Sequence, residues 1–443
     1  MRRWLLVTLL LTGCSARDLC GLQGTCDGTT SDAGADATSD GGFEAGDGGV
    51  CPQATTRVSD AVRIAAGDLA TCAVRANGAV LCWGGNASAL VDPGSTASFP
   101  TPKTILGQDA VDVSVGTTVA CARVKDGRLF CWGPNQANQL GREPYGVFEG
   151  QGPGVVVDDK KAPFVVGGAF GCAHWHSCAI GTNGSVACWG LNNGGACGAD
   201  PATNLNLKAP GIANAATSST SALAVGKAHG CATVGSAIQC WGGGNEGQLG
   251  SPISAQCPDS YLCSPTPLAV PLAPGATAPF GALTAGDDFT CALDAKGKVF
   301  CWGGTTLGQT GDTSFAKTNQ PDPKAPHVVT GLPLPARAIA AGAVTACAVL
   351  EDGSVWCWGA NEYGQLGRGA PDPADAGAVP HVDPQAVAGI SGAKAVAIGD
   401  GHACALVGCG AGAQIACWGR NAEGQLGSGQ AGAPSGPVFV VAP

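Results

Sequence analysis

The sequence predicts an all-β protein, a closed seven-bladed propeller built of four-stranded blades. Two observations carry that prediction. Gly supplies 71 of the 443 residues and charged side chains only 13%, whereas a usual Gly share is about 7% and each Gly inside a helix forfeits about 1 kcal/mol. The tripeptide Cys-Trp-Gly then begins seven times, at Cys82, Cys131, Cys188, Cys240, Cys301, Cys357 and Cys417. Each copy has an upstream partner: Cys72, Cys121, Cys178, Cys231, Cys291, Cys347 and Cys404. Collagen is excluded because Gly has no period of three. Disorder of the whole chain is excluded by 45% apolar residues and ten Trp.

One repeat shows the elements in order. Ala338-Ile339-Ala340-Ala341-Gly342 is a short apolar run closed by Gly. Cys347-Ala348-Val349-Leu350, the turn Asp352-Gly353 and Val355-Trp356-Cys357-Trp358-Gly359 follow as strand, turn and strand. Gly364-Gln365-Leu366-Gly367 closes the unit, and runs such as Pro326-His327-Val328-Val329 seed a fourth strand placed ahead of the inner one. Gly67, Gly116, Gly226, Gly286, Gly342 and Gly399 each sit five residues before the first Cys. At the end of an inner strand, a positive φ or a close backbone approach would exclude a Cβ there. Seven such units over residues 52–443 suit a propeller. Pro437-Val438-Phe439-Val440-Val441 matches the first strand of a unit, which the opening unit near Val58 lacks. The C-terminal strand is therefore expected to complete the first blade.

These residues resemble the repeat of the regulator of chromosome condensation family, over roughly residues 58–443. The resemblance implies a seven-bladed propeller, and the Cys pairs look like an exported bacterial branch. Two units depart from the pattern, with Ala89-Leu90-Val91 in the first and Gly308-Gln309-Thr310-Gly311 in the fifth.

In a hairpin centred on Asn77, Cys72 and Cys82 stand opposite one another, close enough for a disulfide. The other six pairs follow. Cys172 and Cys197 replace repeat residues in the third unit alone and are expected to bridge. Cys257 and Cys263 share one inserted loop and form another expected pair. Cys20, Cys26, Cys51 and Cys409 remain without an assigned pairing, Cys51 with Cys409 being feasible as a second closure. Cys172-Ala173-His174-Trp175-His176-Ser177-Cys178 is metal-like in composition, but its register favours disulfides. His176, His229 and His402 fill one repeat position, two before the Cys, which suggests a structural role. No metal or cofactor is expected.

Met1-Arg2-Arg3, an apolar run from Trp4 to Leu11, and Leu11-Thr12-Gly13-Cys14 read as a signal peptide over residues 1–13. The run is too short for a membrane span of about 20 residues. Its end resembles the bacterial lipoprotein signal, which implies lipid on Cys14 and a cell-envelope location, outer membrane or secreted. Residues 14–51 read as a tether, with six acidic and no basic residues between 27 and 50.

The net charge of −10 offers no basic cluster to release counterions from nucleic acid. HExxH, GxSxG and GxxxxGK[ST] motifs are absent. The 242–247 stretch fits GxGxxG, but it is the repeat's own loop and precedes no helix pattern. The expectation is a non-enzymatic binding module, lipid-anchored outside the cytoplasm, for a protein or a glycan. Inhibition of a secreted enzyme and a polysaccharide-directed activity are the alternatives, and nucleotide exchange suits an acidic exported chain poorly. The long connections 142–163, 251–266, 308–325 and 368–384, read as joining blades, should gather on one face. They carry Tyr145, Tyr261 and Phe148, with Tyr363 in the loop leading into the last of them; these four are the expected partner-binding aromatics.

Overall fold

The computed structural model describes residues 56–443 apart from 213–218, 259–261, 313–324, 374–378, 409–412 and 433–435. The leader, the tether, Cys14, Cys20, Cys26, Cys51, Cys409 and Tyr261 lie outside the described residues. Among the described residues, twenty-eight strands form seven antiparallel sheets of four, each laid out in chain order.

Blade one holds β1 (Ala61–Ala66), β2 (Ala70–Arg75), β3 (Val80–Gly84) and β4 (Phe99–Leu106); blade two holds β5 (Ala110–Val115), β6 (Ala120–Val124), β7 (Leu129–Asn135) and β8 (Val147–Val155). Blade three holds β9 (Val166–Cys172), β10 (His176–Gly181), β11 (Val186–Leu191) and β12 (Asn206–Ile212). Blade four holds β13 (Thr220–Val225), β14 (His229–Val234), β15 (Ala237–Gly243) and β16 (Cys263–Ala269). Blade five holds β17 (Phe280–Ala285), β18 (Phe289–Asp294), β19 (Val299–Gly303) and β20 (His327–Val328); blade six holds β21 (Ala336–Ala341), β22 (Thr345–Leu350), β23 (Val355–Gly359) and β24 (His381–Ala386). Blade seven holds β25 (Ala393–Ile398), β26 (His402–Val407), β27 (Gln414–Gly419) and β28 (Val438–Phe439).

Two expectations about strand order are corrected. The outer strand follows its Cys-Trp-Gly strand within the same blade, so the long connections join third and fourth strands rather than neighbouring blades. Val438–Phe439 accordingly pairs with β27 and completes the seventh blade, not the first. Closure uses other bonds. Val58 N–H donates to the Val440 carbonyl at 3.2 Å, Ala442 N–H to Thr56 at 2.8 Å, and Ala61 and Ala413 exchange both bonds at 3.0 Å.

The second and third strands pair as the sequence predicts. Cys72 faces Cys82 in register, as do the other six pairs, and disulfides join all seven with Cα atoms 4.0–4.1 Å apart. Cys257–Cys263 is also bonded. The expected Cys172–Cys197 bridge is not: both thiols are free and buried. Cys172 packs into the core between blades two and three, while Cys197 packs into that between three and four. The sheet of blade three separates them.

Seven apolar cores fill the seven seams between blades. A recurrent staple crosses each seam. The indole N–H of every Cys-Trp-Gly Trp donates to a backbone carbonyl of the preceding blade, as Trp418 does to Gln365 at 2.9 Å and Trp302 to Gln248 at 2.9 Å. In five of the seven staples the acceptor is the Gln of the loop written Gly-Gln-Leu-Gly or its close variants, so the two motifs are halves of one contact. Leu90 and Ala196 supply the other two carbonyls.

Candidate functional site

Antiparallel order places the turns between first and second strands on the same face as the long third-to-fourth connections. The Asn77-Gly78 and Asp352-Gly353 turns lie on the opposite face. The first face surrounds the mouth of the central channel.

The mouth is made by the residues ending the seven inner strands. Built Cβ atoms on Gly67, Gly116, Gly226, Gly286, Gly342 and Gly399 would stand 2.0–2.7 Å from the carbonyl oxygen of the next blade. Close backbone approach, not positive φ, is therefore what demands Gly here. The seventh member of the ring is Ala173. Its Cβ occupies the place that the other six members leave empty.

The same seam lacks a His–Thr contact made at two others and the core Leu present at four others. His402 reaches Thr71 Oγ1 of the next blade at 2.7 Å, and His229 reaches Thr290 Oγ1 at 2.9 Å. His176 faces Gly230 at the corresponding position, and its Nε2 is buried with no hydrogen-bond partner. A Cβ at residue 230 would stand 2.6 Å from Trp241, which keeps a side chain out. Cys197 takes the place filled by Leu140, Leu249, Leu366 and Leu426 in other seams. Asn192 organises the loop at this seam as Asn361 and Asn421 do at theirs, while Gly244, at the equivalent place in blade four, belongs to the loop whose Leu249 packs into the next seam. The seam core is accordingly the thinnest, with eight fully buried members against ten or more elsewhere.

A cleft of ≈ 480 Å³ opens at this seam. Half-buried Trp175 lines it, with the His174 ring 5.1 Å away and tilted by 31°. His176, Lys227, Asn245, Glu246, Gln248 and Asp288 add polar groups. His174 and Lys227 also line the channel mouth, so cleft and mouth are continuous.

The mouth is acidic. Asp68, Asp287 and Asp400 stand around it with Lys227, which pairs with Asp287 at 3.0 Å. Burial raises Asp68 to about 6, and the charges of Asp400 and Asp287 add to the rise. Burial also raises Asp288 and Asp400, with Asp287 again contributing. Burial lowers His174, and it lowers His176 to about 4, so both rings are neutral near pH 7. Among the described residues, no group of three or more His, Cys, Asp or Glu could hold a metal ion.

The expected aromatics are placed apart. Tyr145 is half-buried with Lys208 Nζ 5.5 Å from its ring. Phe148 is 76% exposed on β8 of the same blade. Tyr363 lies on blade six, under Arg420 of blade seven at 5.1 Å. Sequence reasoning missed the seam cleft, although its signals were present: Ala in a ring of Gly, and Cys197 and Gly230 where other units carry Leu and Thr.

The fold is a disulfide-laced seven-bladed propeller with a cleft at the seam between blades three and four. The chain carries the repeat of the regulator of chromosome condensation family. The sequence profile of the Regulator of chromosome condensation (RCC1) repeat matches residues 352–406, and a second profile of the same repeat matches 61–88, 282–309 and 336–365. The human E3 ubiquitin-protein ligase HERC2 is 30% identical over 223 residues, 50% of this chain and 4% of that protein. The matches span 4–31% of the curated relatives' own lengths. Human WBSCR16 superposes with a TM-score of 0.66 at 20% identity, over 82% of this chain and 93% of that one. Prp20p of Saccharomyces cerevisiae superposes with a TM-score of 0.58 at 18% identity, over 73% and 76%. Both likenesses concern the fold.

Proposed function

We propose that the protein is a binding module of the cell exterior, lipid-anchored through Cys14, whose ligand seats on the channel-mouth face. The observation that carries this reading is the seam between blades three and four. There the indole staple is kept, but Cys197 replaces a core Leu and the buried Nε2 of His176 is left without a hydrogen-bond partner beside the cleft. Loss of packing and hydrogen bonds costs stability, and a ligand site is a reason to bear it. The disulfides support an oxidising compartment, and the Leu11–Cys14 pattern supports the anchor. A protein partner is supported by relatives such as Prp20p, studied for binding to Gsp1p and histones. The module is not an enzyme in this reading.

The test is affinity capture from an envelope extract with the wild-type protein, a Trp175→Ala variant and a variant in the Asp352-Gly353 turn. The partner should be lost with Trp175→Ala and kept by the turn variant. Loss with the turn variant alone would move the site to the other face. Retention by both, with release on replacing Tyr145 and Phe148, would place binding on blade two instead.

A further inference from the structure

The chemistry of the mouth and cleft narrows what can enter. Three carboxylates surround the mouth and two more, Asp288 and Glu246, lie along the cleft. Lys227 and Arg420 offset part of that charge. A phosphate or carboxylate is repelled here. A neutral polyol gains little from carboxylates already crowded against one another. A cation relieves the crowding of these carboxylates.

Two neighbouring features suit a cation carried on a side chain. Trp175, with His174 beside it, offers a π face at the cleft wall. His176 is 1% exposed, and its Nε2 lacks the hydroxyl partner that His229 and His402 possess. In the neutral ring carrying its proton on Nδ1, Nε2 is an acceptor awaiting an N–H. Guanidinium meets all three demands at once: positive charge, a planar stacking surface and several N–H donors.

We propose that the mouth and seam cleft together seat a cationic side chain, Arg before Lys, presented by a basic peptide segment of a partner protein. The proposal rests on the binding-module reading and specifies its ligand. Binding is therefore salt-sensitive, and Lys227 lies at the rim as the charge that an incoming Arg displaces from Asp287.

Calorimetric titration of the intact protein with three probes tests this: a capped Gly/Arg pentapeptide, a capped Gly/Glu pentapeptide and maltohexaose. The Gly/Arg peptide should bind and the other two should not. Asp287→Asn with Asp400→Asn should weaken it about tenfold or more. Ala343→Lys should do the same by adding a competing ammonium at the mouth, without disturbing a buried side chain. His176→Phe should weaken it several-fold while leaving the melting temperature in place. Binding of maltohexaose instead, indifference of the Arg peptide to both charge variants, or no binding by any probe would overturn the assignment of a cation. If Trp175→Ala still abolishes affinity capture in that event, the binding-module reading survives and only the ligand class falls.

Discussion

The indole Nε1–H of Trp83 in the first blade donates to the backbone carbonyl of Gln425 in the last, at 2.8 Å. Residues 342 positions apart in sequence are thereby joined, and the staple repeated at every other seam also shuts the ring. Trp83 is fully buried. Trp83→Phe keeps most of the apolar volume and removes the donor, leaving the carbonyl short of one bond. The expected cost is about 1–2 kcal/mol, read as a lower urea midpoint with unchanged slope. An unchanged midpoint would mean that the backbone bonds between residues 56–61 and 413–442 close the ring unaided.

The hairpin disulfides and the two unpaired thiols separate by chemistry. Replacing Cys347 and Cys357 together by Ala opens one ten-residue link and should cost about 2–3 kcal/mol in the chain-entropy account. Cys172 and Cys197 should behave otherwise. Burial pushes the Cys172 thiol up to about 12 and raises Cys197 as well, so neither forms thiolate near neutrality. A thiol reagent should label neither in the folded protein and both after unfolding without reductant. A Cys172–Cys197 peptide in a non-reducing map would contradict this.

The propeller itself was legible because its signals are local and repeated. Cys opposite Cys across a tight turn, and Gly before six of the seven second strands, are dictated by hairpin geometry and by backbone crowding. Closure was not legible, because two apolar residues at Val438–Phe439 fit the edge of either neighbouring sheet. Pairing of Cys172 with Cys197 looked plausible because both substitutions occur in one unit, yet sequence proximity does not reveal which side of a sheet a thiol occupies. The seam cleft escaped for a related reason. Ala173, Cys197 and Gly230 are unremarkable singly, and their meaning depends on what the adjoining blade places beside each one.

Stability should depend on pH through two opposed sets of groups. Asp68 has a folded pKa near 6, above the ordinary 3.8. Protonation thus favours the folded state, and that contribution is lost as pH rises from about 4 through 6. Asp68→Asn should therefore stabilise the protein at pH 7, by about 1–3 kcal/mol after allowing for partial exposure, and change nothing at pH 3.5. His176, His229 and His402 act the other way. Burial holds them at about 4, 3 and 4, below the ordinary 6.5. Their contribution is complete above pH 6.5 and fades as pH falls below it. Chemical denaturation across pH 3.5–8 with both wild type and Asp68→Asn resolves the two. A gain from the variant that persists at pH 3.5 would assign the effect to something other than charge.

Equivalent histidines should respond unequally to one substitution. In blade seven, His402 Nε2 meets Thr71 Oγ1, and the same hydroxyl approaches the Gln425 carbonyl at 3.4 Å. His402→Phe strands a buried hydroxyl beside the closing staple and should cost about 1–3 kcal/mol. In blade three, His176 Nε2 has no partner, because Gly230 stands where Thr71 would. His176→Phe removes a buried polar atom that the fold never satisfied, so it should be neutral or slightly stabilising. Paired urea titrations of the two variants at pH 7.5, where both rings are neutral, give the comparison directly. Equal losses would mean that His176 is satisfied within the fold, and the reason for holding an acceptor open at this seam would disappear.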